Sequence, residues 1–210
     1  MDIKRHKVFI SYYHSEAQEY KDELIKKQIY NKEKQKFESI FEDYSVSDGD
    51  IDDSHMTSEQ IRRKIRDEYI KDATVLVLLC GENTKYRKYI DWEIHAAMYD
   101  SEVNPRMGII VINLPEIKQN VRVSSDDEKP LVSPNSNWCH LSTREEYEKE
   151  YPYMPNRIID NFVKNVPISV VEWHRIENDN DILMQLIDNA FKRRKQISYD
   201  HSRTLKGRNT

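Results

Sequence analysis

The residues of this chain most able to do chemistry are one acid and one strand-tip loop. Glu93 lies within KYRKYIDWEIHAAM (Lys85–Met98), and Ser11, Tyr12, Tyr13 and His14 follow the apolar run that begins at Val8. On a helical wheel Ile90, Ile94, Ala97 and Met98 form one apolar stripe. Glu93 falls at its border beside Tyr86 and Tyr89, with Trp92 on the opposite side. A carboxylate at such an edge is partly desolvated and can still reach a cleft. Tyr12 and Tyr13 can stack on a flat base, His14 can bond a phosphate or ribose, and the free N–H groups of a helix beginning near Ser15 can hold an anion. A strand-tip loop facing a helix-borne carboxylate is how an open α/β sheet builds a small-molecule site. A plainer reading fits the same residues: a solvated or salt-bridged helix glutamate, and a capped turn whose aromatics pack locally.

Other polar clusters say less. The loop SDGDIDDS (Ser47–Ser54) offers Asp48 and Asp50 to the cleft, but lacks the residue order of an EF-hand, so a solvated acidic loop is the alternative. Gly81-Glu82-Asn83-Thr84 follows the strongest apolar run and leads into the Glu93 helix, which makes Asn83 a cleft candidate. KRRK at Lys192–Lys195 reads as a solvated helix end, and His140 and His174 are isolated. Cys80 and Cys139 form no CxxC or Cys/His pattern, so no metal site is expected and a reducing, cytoplasmic setting fits. With glycine only at positions 49, 81, 108 and 207, neither GxGxxG nor a P-loop can be drawn.

The elements that must position these residues follow from periodicity. Apolar runs at Val8–Ser11, Thr74–Cys80, Gly108–Asn113 and Ile168–Trp173 read as buried strands, with a short second strand at Tyr44–Val46. Helices are expected from a Ser15/Gln18 capping box to about Lys27 or on to Phe37, from a Thr57/Gln60 box to about Ile70, after Thr84 as cap, near Arg144–Lys149 and Asn156–Lys164, and after Asn178 or Asp179. The alternation predicts an α/β fold of flavodoxin-like class: an open, parallel, five-stranded sheet with helices on both faces. One domain over 1–195 is expected, with a Pro-rich insert at about 114–165 forming a cap or side wall, and a disordered tail at 196–210. A net charge of −4 disfavours a general nucleic-acid binder, and no apolar run approaches the ~18 residues of a membrane span.

Together, FISYYHSE, ATVLVLLCGENT and YIDWEI resemble the Toll/interleukin-1 receptor (TIR) domain, and more narrowly the TIR-like ThsB group of the bacterial Thoeris anti-phage system. The resemblance covers about Lys7–Asn113. The animal second box R-D-x-x-P-G and the terminal F-W box are absent, which argues against an animal-style adaptor scaffold. By this resemblance Glu93 is the catalytic acid of an NAD+-consuming enzyme, a glycohydrolase or ADP-ribosyl cyclase. Ser11, Tyr12, Tyr13, His14, Asp48, Asp50, Asn83, Tyr86 and Tyr89 would then bind substrate. It implies NAD+ as substrate with no other cofactor, cleavage of the nicotinamide–ribose bond, and a cyclic ADP-ribose isomer or related signal sensed by a downstream effector. A phage-derived trigger and self-association on activation would accompany it, without membrane or nucleic acid. Two other classes stay open: a non-catalytic TIR-like interaction module, and a receiver or flavin binder. A receiver needs an aspartate at a central strand end, and neither Val8–Ser11 nor Thr74–Cys80 supplies one.

Overall fold

The computed structural model describes residues 5–45, 56–101, 105–134 and 141–208. Five short strands pair in one parallel sheet; the two central ones, VLVLLC and GIIVIN, are buried on both faces, while the edge strand Glu42–Asp43 is exposed. β1 (Lys7–Ser11) leads into α1 (His14–Lys26). A hairpin of β2 (Gln28–Asn31) and β3 (Lys36–Ser39) follows, then the two-residue β4 (Glu42–Asp43). α2 (Ser58–Lys64) runs on as a π turn over Ile65–Tyr69 and precedes β5 (Val75–Cys80). α3 (Lys88–Met98) connects to β6 (Gly108–Asn113). α4 (Lys129–Val132), α5 (Arg144–Glu150) and α6 (Asn156–Val163) lie between β6 and β7 (Ser169–Glu172). α7 (Trp173–Glu177) and α8 (Asn180–Arg193) close the layer.

The five strands are all parallel, as the alternation predicts, and their order in the sheet is β4-β1-β5-β6-β7. Alternate side chains of β5 divide two cores. Leu76, Leu78 and Cys80 face α3, α5 and α6, while Val75, Val77 and Leu79 face α1 and α8. Crossovers leave the sheet in opposite directions after β1 and β5, so the carboxyl ends of these two strands form the topological switch point where open α/β sheets bind ligands. β6 meets α8 so closely that a Cβ on Gly108 would sit 2.2 Å from the Ala190 carbonyl oxygen. Gly108→Ala should therefore push α8 off the sheet, at about 1–3 kcal/mol of overpacking. A urea midpoint unchanged from the parent would refute this.

Several expectations need correction. α1 starts at His14 with Tyr13 as N-cap and no side-chain cap bond, so Ser15 is not its cap. α1 does not extend to Phe37. The chain turns instead through Asn31, whose Oδ1 accepts from the Glu33 and Lys34 amides, and Gln35 takes a left-handed φ of 53°. The second strand lies at Glu42–Asp43 rather than Tyr44–Val46, of which Val46 lies outside the described residues. The Thr57/Gln60 capping box is present in both directions, and Asp179 caps α8.

The insert packs along the core as a side wall. Tyr147, Tyr151, Ile158, Ile159 and Phe162 belong to the core on the α3 side, and Arg122 bridges to Val170 at the free edge of β7. The stretch 196–208 is not a loose tail. Ile197 and Tyr199 are buried, the Tyr199 hydroxyl donates to the Met107 carbonyl, and the segment runs on across α3 to Lys206. Trp92, expected on the outer side of an amphipathic helix, is consequently 2% exposed, its indole N–H donating to the Lys206 carbonyl at 2.8 Å.

Candidate functional site

β1 ends on Ser11 because alternation turns that residue toward α3. The register Ser11↔Leu78 places it beside the middle of β5. Glu93 projects from α3 to meet it: the Ser11 hydroxyl donates to Glu93 Oε2 at 2.6 Å. Ser11 is 1% exposed and Glu93 9%. Burial pushes the Glu93 carboxyl up to about 7 from an ordinary 4.5, and the Ser11 hydrogen bond works in the opposite direction. The arrangement is a desolvated carboxylate poised between its protonated and ionised forms near neutral pH, at the strand end where a ligand is expected.

The other predicted site residues divide. Tyr13 shares the α3 side, and its ring lies 3.6 Å from the guanidinium of Arg87. Tyr12 turns to the other face of the sheet, where its hydroxyl donates to Gln18. His14 is exposed, with its ring 6.5 Å from that of Tyr12. The turn after β1 thus separates Tyr12 from Glu93 by strand alternation. Asn83 is held by Glu16, whose carboxylate accepts from both its backbone and its side chain. Gly81 permits this approach, since a Cβ there would sit 2.6 Å from Glu16 Oε2. Thr84 is not the α3 cap: its hydroxyl accepts from the Gly81 amide, and Arg87 is the N-cap. Tyr89 packs edge-on against Trp92, and Tyr86 is 41% exposed between the ammonium groups of Lys85 and Lys206. Asp48 and Asp50 lie outside the described residues.

Sequence reasoning missed Glu16, Arg87 and the stretch Arg203–Lys206. An acid in the first turn of α1 is an ordinary helix-start feature, so nothing marked Glu16 as a clasp for the loop after β5. Among the described residues no group of three or more His, Cys, Asp or Glu side chains is placed to hold a metal ion. Among them, too, no helix is long and apolar enough to cross a membrane.

A five-stranded parallel sheet in this order, flanked by helices, is an α/β fold of the TIR-like class. The comparison with known families narrows this. The chain belongs to the family described as Thoeris protein ThsB, TIR-like domain, which matches residues 9–119 of the 210. It is therefore a TIR protein of anti-phage defence. No curated protein matches the chain. The match includes Ser11, Asn83, Arg87 and Glu93, and it ends before α4, α5, α6 and the strap over α3.

Proposed function

We propose that this protein cleaves the bond between nicotinamide and ribose in NAD+ and makes an ADP-ribose signal for anti-phage defence. The product would be a cyclic ADP-ribose isomer or a close relative. One observation supports this above others: the buried Glu93 carboxylate, hydrogen-bonded by Ser11, at the sheet's switch point. The C–N bond breaks with its electron pair leaving on nicotinamide, which departs neutral from a cationic ring and needs no general acid. Ribose is left as an oxocarbenium-like cation. An ionised Glu93 stabilises that charge, and does so more strongly where water is excluded. Ser11 fixes the carboxylate's direction. Attack by water, with loss of its proton, gives ADP-ribose; attack by a nitrogen or hydroxyl of the same molecule gives a ring. NAD+ enters as substrate, and the step calls for no further cofactor. Self-association on a phage-derived trigger, and a downstream effector reading the product, complete the proposal.

The test is nicotinamide release followed by chromatography, with the products identified by mass spectrometry. Because the ionised form is the active one, kcat/KM should rise as pH passes about 7 and level off above it. Where resting protein is silent, extract of phage-infected cells supplies the trigger. No release under either condition would leave a non-catalytic module.

A further inference from the structure

A second feature lies at the start of α3. Lys85, Arg87, Arg203 and Lys206 surround a cavity of about 180 Å³ with Asp91 as its lone carboxylate. Asp91 is already engaged: Arg157 grips it with two bonds of 2.9 Å, and the Lys206 amide donates to it at 3.0 Å. The lysines donate to neutral carbonyls, Lys85 to Pro152 and Lys206 to Lys85, so neither charge is neutralised by its partner. Arg87 Nε is buried without a hydrogen-bond partner. Among the described residues, Arg203 is the one of these four cations with a salt-bridge partner, Asp160. Desolvation lowers the pKa of Lys206; Asp91 works in the opposite direction, and Arg203, Arg87 and Lys85 push it down further. Backbone contacts therefore hold like charges together that would otherwise separate, and an anion entering the cavity would relieve them.

Two further observations choose the anion. Water takes about 30 Å³ each in the liquid, so the cavity has room for a pyrophosphate-sized group. Tyr86 neighbours two of the lining cations, its exposed ring 5.1 Å from the Lys85 ammonium and 5.9 Å from that of Lys206, an arrangement suited to a flat base beside bound phosphates. We propose that this pocket binds the phosphate groups of a nucleotide, with Tyr86 against the base. Of its four cations, Lys85 and Arg87 come from the stretch that matches the family, and Arg203 and Lys206 from the strap beyond it. The phosphates belong either to the dinucleotide substrate or to a separate nucleotide.

Calorimetric titration of the full chain with ADP, adenosine and inorganic phosphate tests this. ADP should bind and adenosine should not. Lys206→Met should weaken ADP by about tenfold or more, the scale of one charge-assisted hydrogen bond. Lys206→Arg should retain it, and Lys85→Met should repeat the loss if thermal melting shows both methionine variants folded. Glu93→Gln should leave ADP affinity unchanged, which keeps the pocket testable even if NAD+ is never cleaved. A raised KM for NAD+ with unchanged kcat in Lys206→Met assigns the phosphates to the substrate; an unchanged KM assigns them to a separate nucleotide. Failure of ADP to bind the parent protein, or equal binding by both methionine variants, overturns the proposal.

Discussion

Glu93→Gln should reduce nicotinamide release by roughly 10²–10³-fold, the usual effect of removing one preorganised electrostatic group. The same change should make the protein more stable at alkaline pH. Burial holds the Glu93 carboxyl at about 7 against an ordinary 4.5, so the folded protein binds this proton more tightly than the unfolded chain. Stability contributed at this position therefore falls as pH rises from about 4.5 to about 7 and is flat above. The shift corresponds to about 3 kcal/mol at most. Glutamine carries no charge to desolvate, and its amide oxygen can still accept from Ser11. Melting curves and activity measured on the same preparation separate the two effects. Loss of activity together with loss of stability would mean that Glu93 holds the fold, and undiminished activity would remove it from the chemistry.

The second large effect is expected at Asp91. Arg157 is 0% exposed and its guanidinium lies along the Asp91 carboxylate, while further N–H groups reach the Arg203 and Thr204 carbonyls. Asp91→Ala leaves that cation buried and uncompensated, a change that costs about 3–5 kcal/mol. It also removes the acceptor for the Lys206 amide, so the strap over α3 should become sensitive to proteolysis. Adding Arg157→Met should recover part of the loss, because the stranded charge goes with it. Urea denaturation of the three variants measures this. A loss below about 1 kcal/mol for Asp91→Ala would show the pair behaving as a solvated surface bridge.

Sequence pattern carries the sheet well because a buried parallel strand has little freedom in composition. VLVLLC and GIIVIN are apolar at nearly every position, and their alternation with helices implies a parallel sheet, while the order of the strands is read from the fold. The Ser11–Glu93 contact is half legible. A helical wheel places Glu93 beside the apolar stripe, but only strand alternation at β1 decides that Ser11 and Tyr13 face α3 while Tyr12 does not. The outer face of α3 misleads for a physical reason: Trp92 points away from the apolar stripe, yet a distant strap brings the Lys206 backbone over it. Local periodicity cannot register a cover supplied by a segment 114 residues away. The same holds for the clasp of Glu16 on Asn83, 67 residues apart.

That strap sets an order of events during synthesis. α3 leaves the ribosome long before the residues that roof it, so a nascent chain carries an unshielded indole and a carboxylate whose partner has yet to emerge. Long-range closure of this kind comes late in folding. The cover over Trp92 is thus completed only once the 114 positions that separate it from Lys206 have been made, and a premature stop after β7 would release a chain with its sheet complete and that indole uncovered.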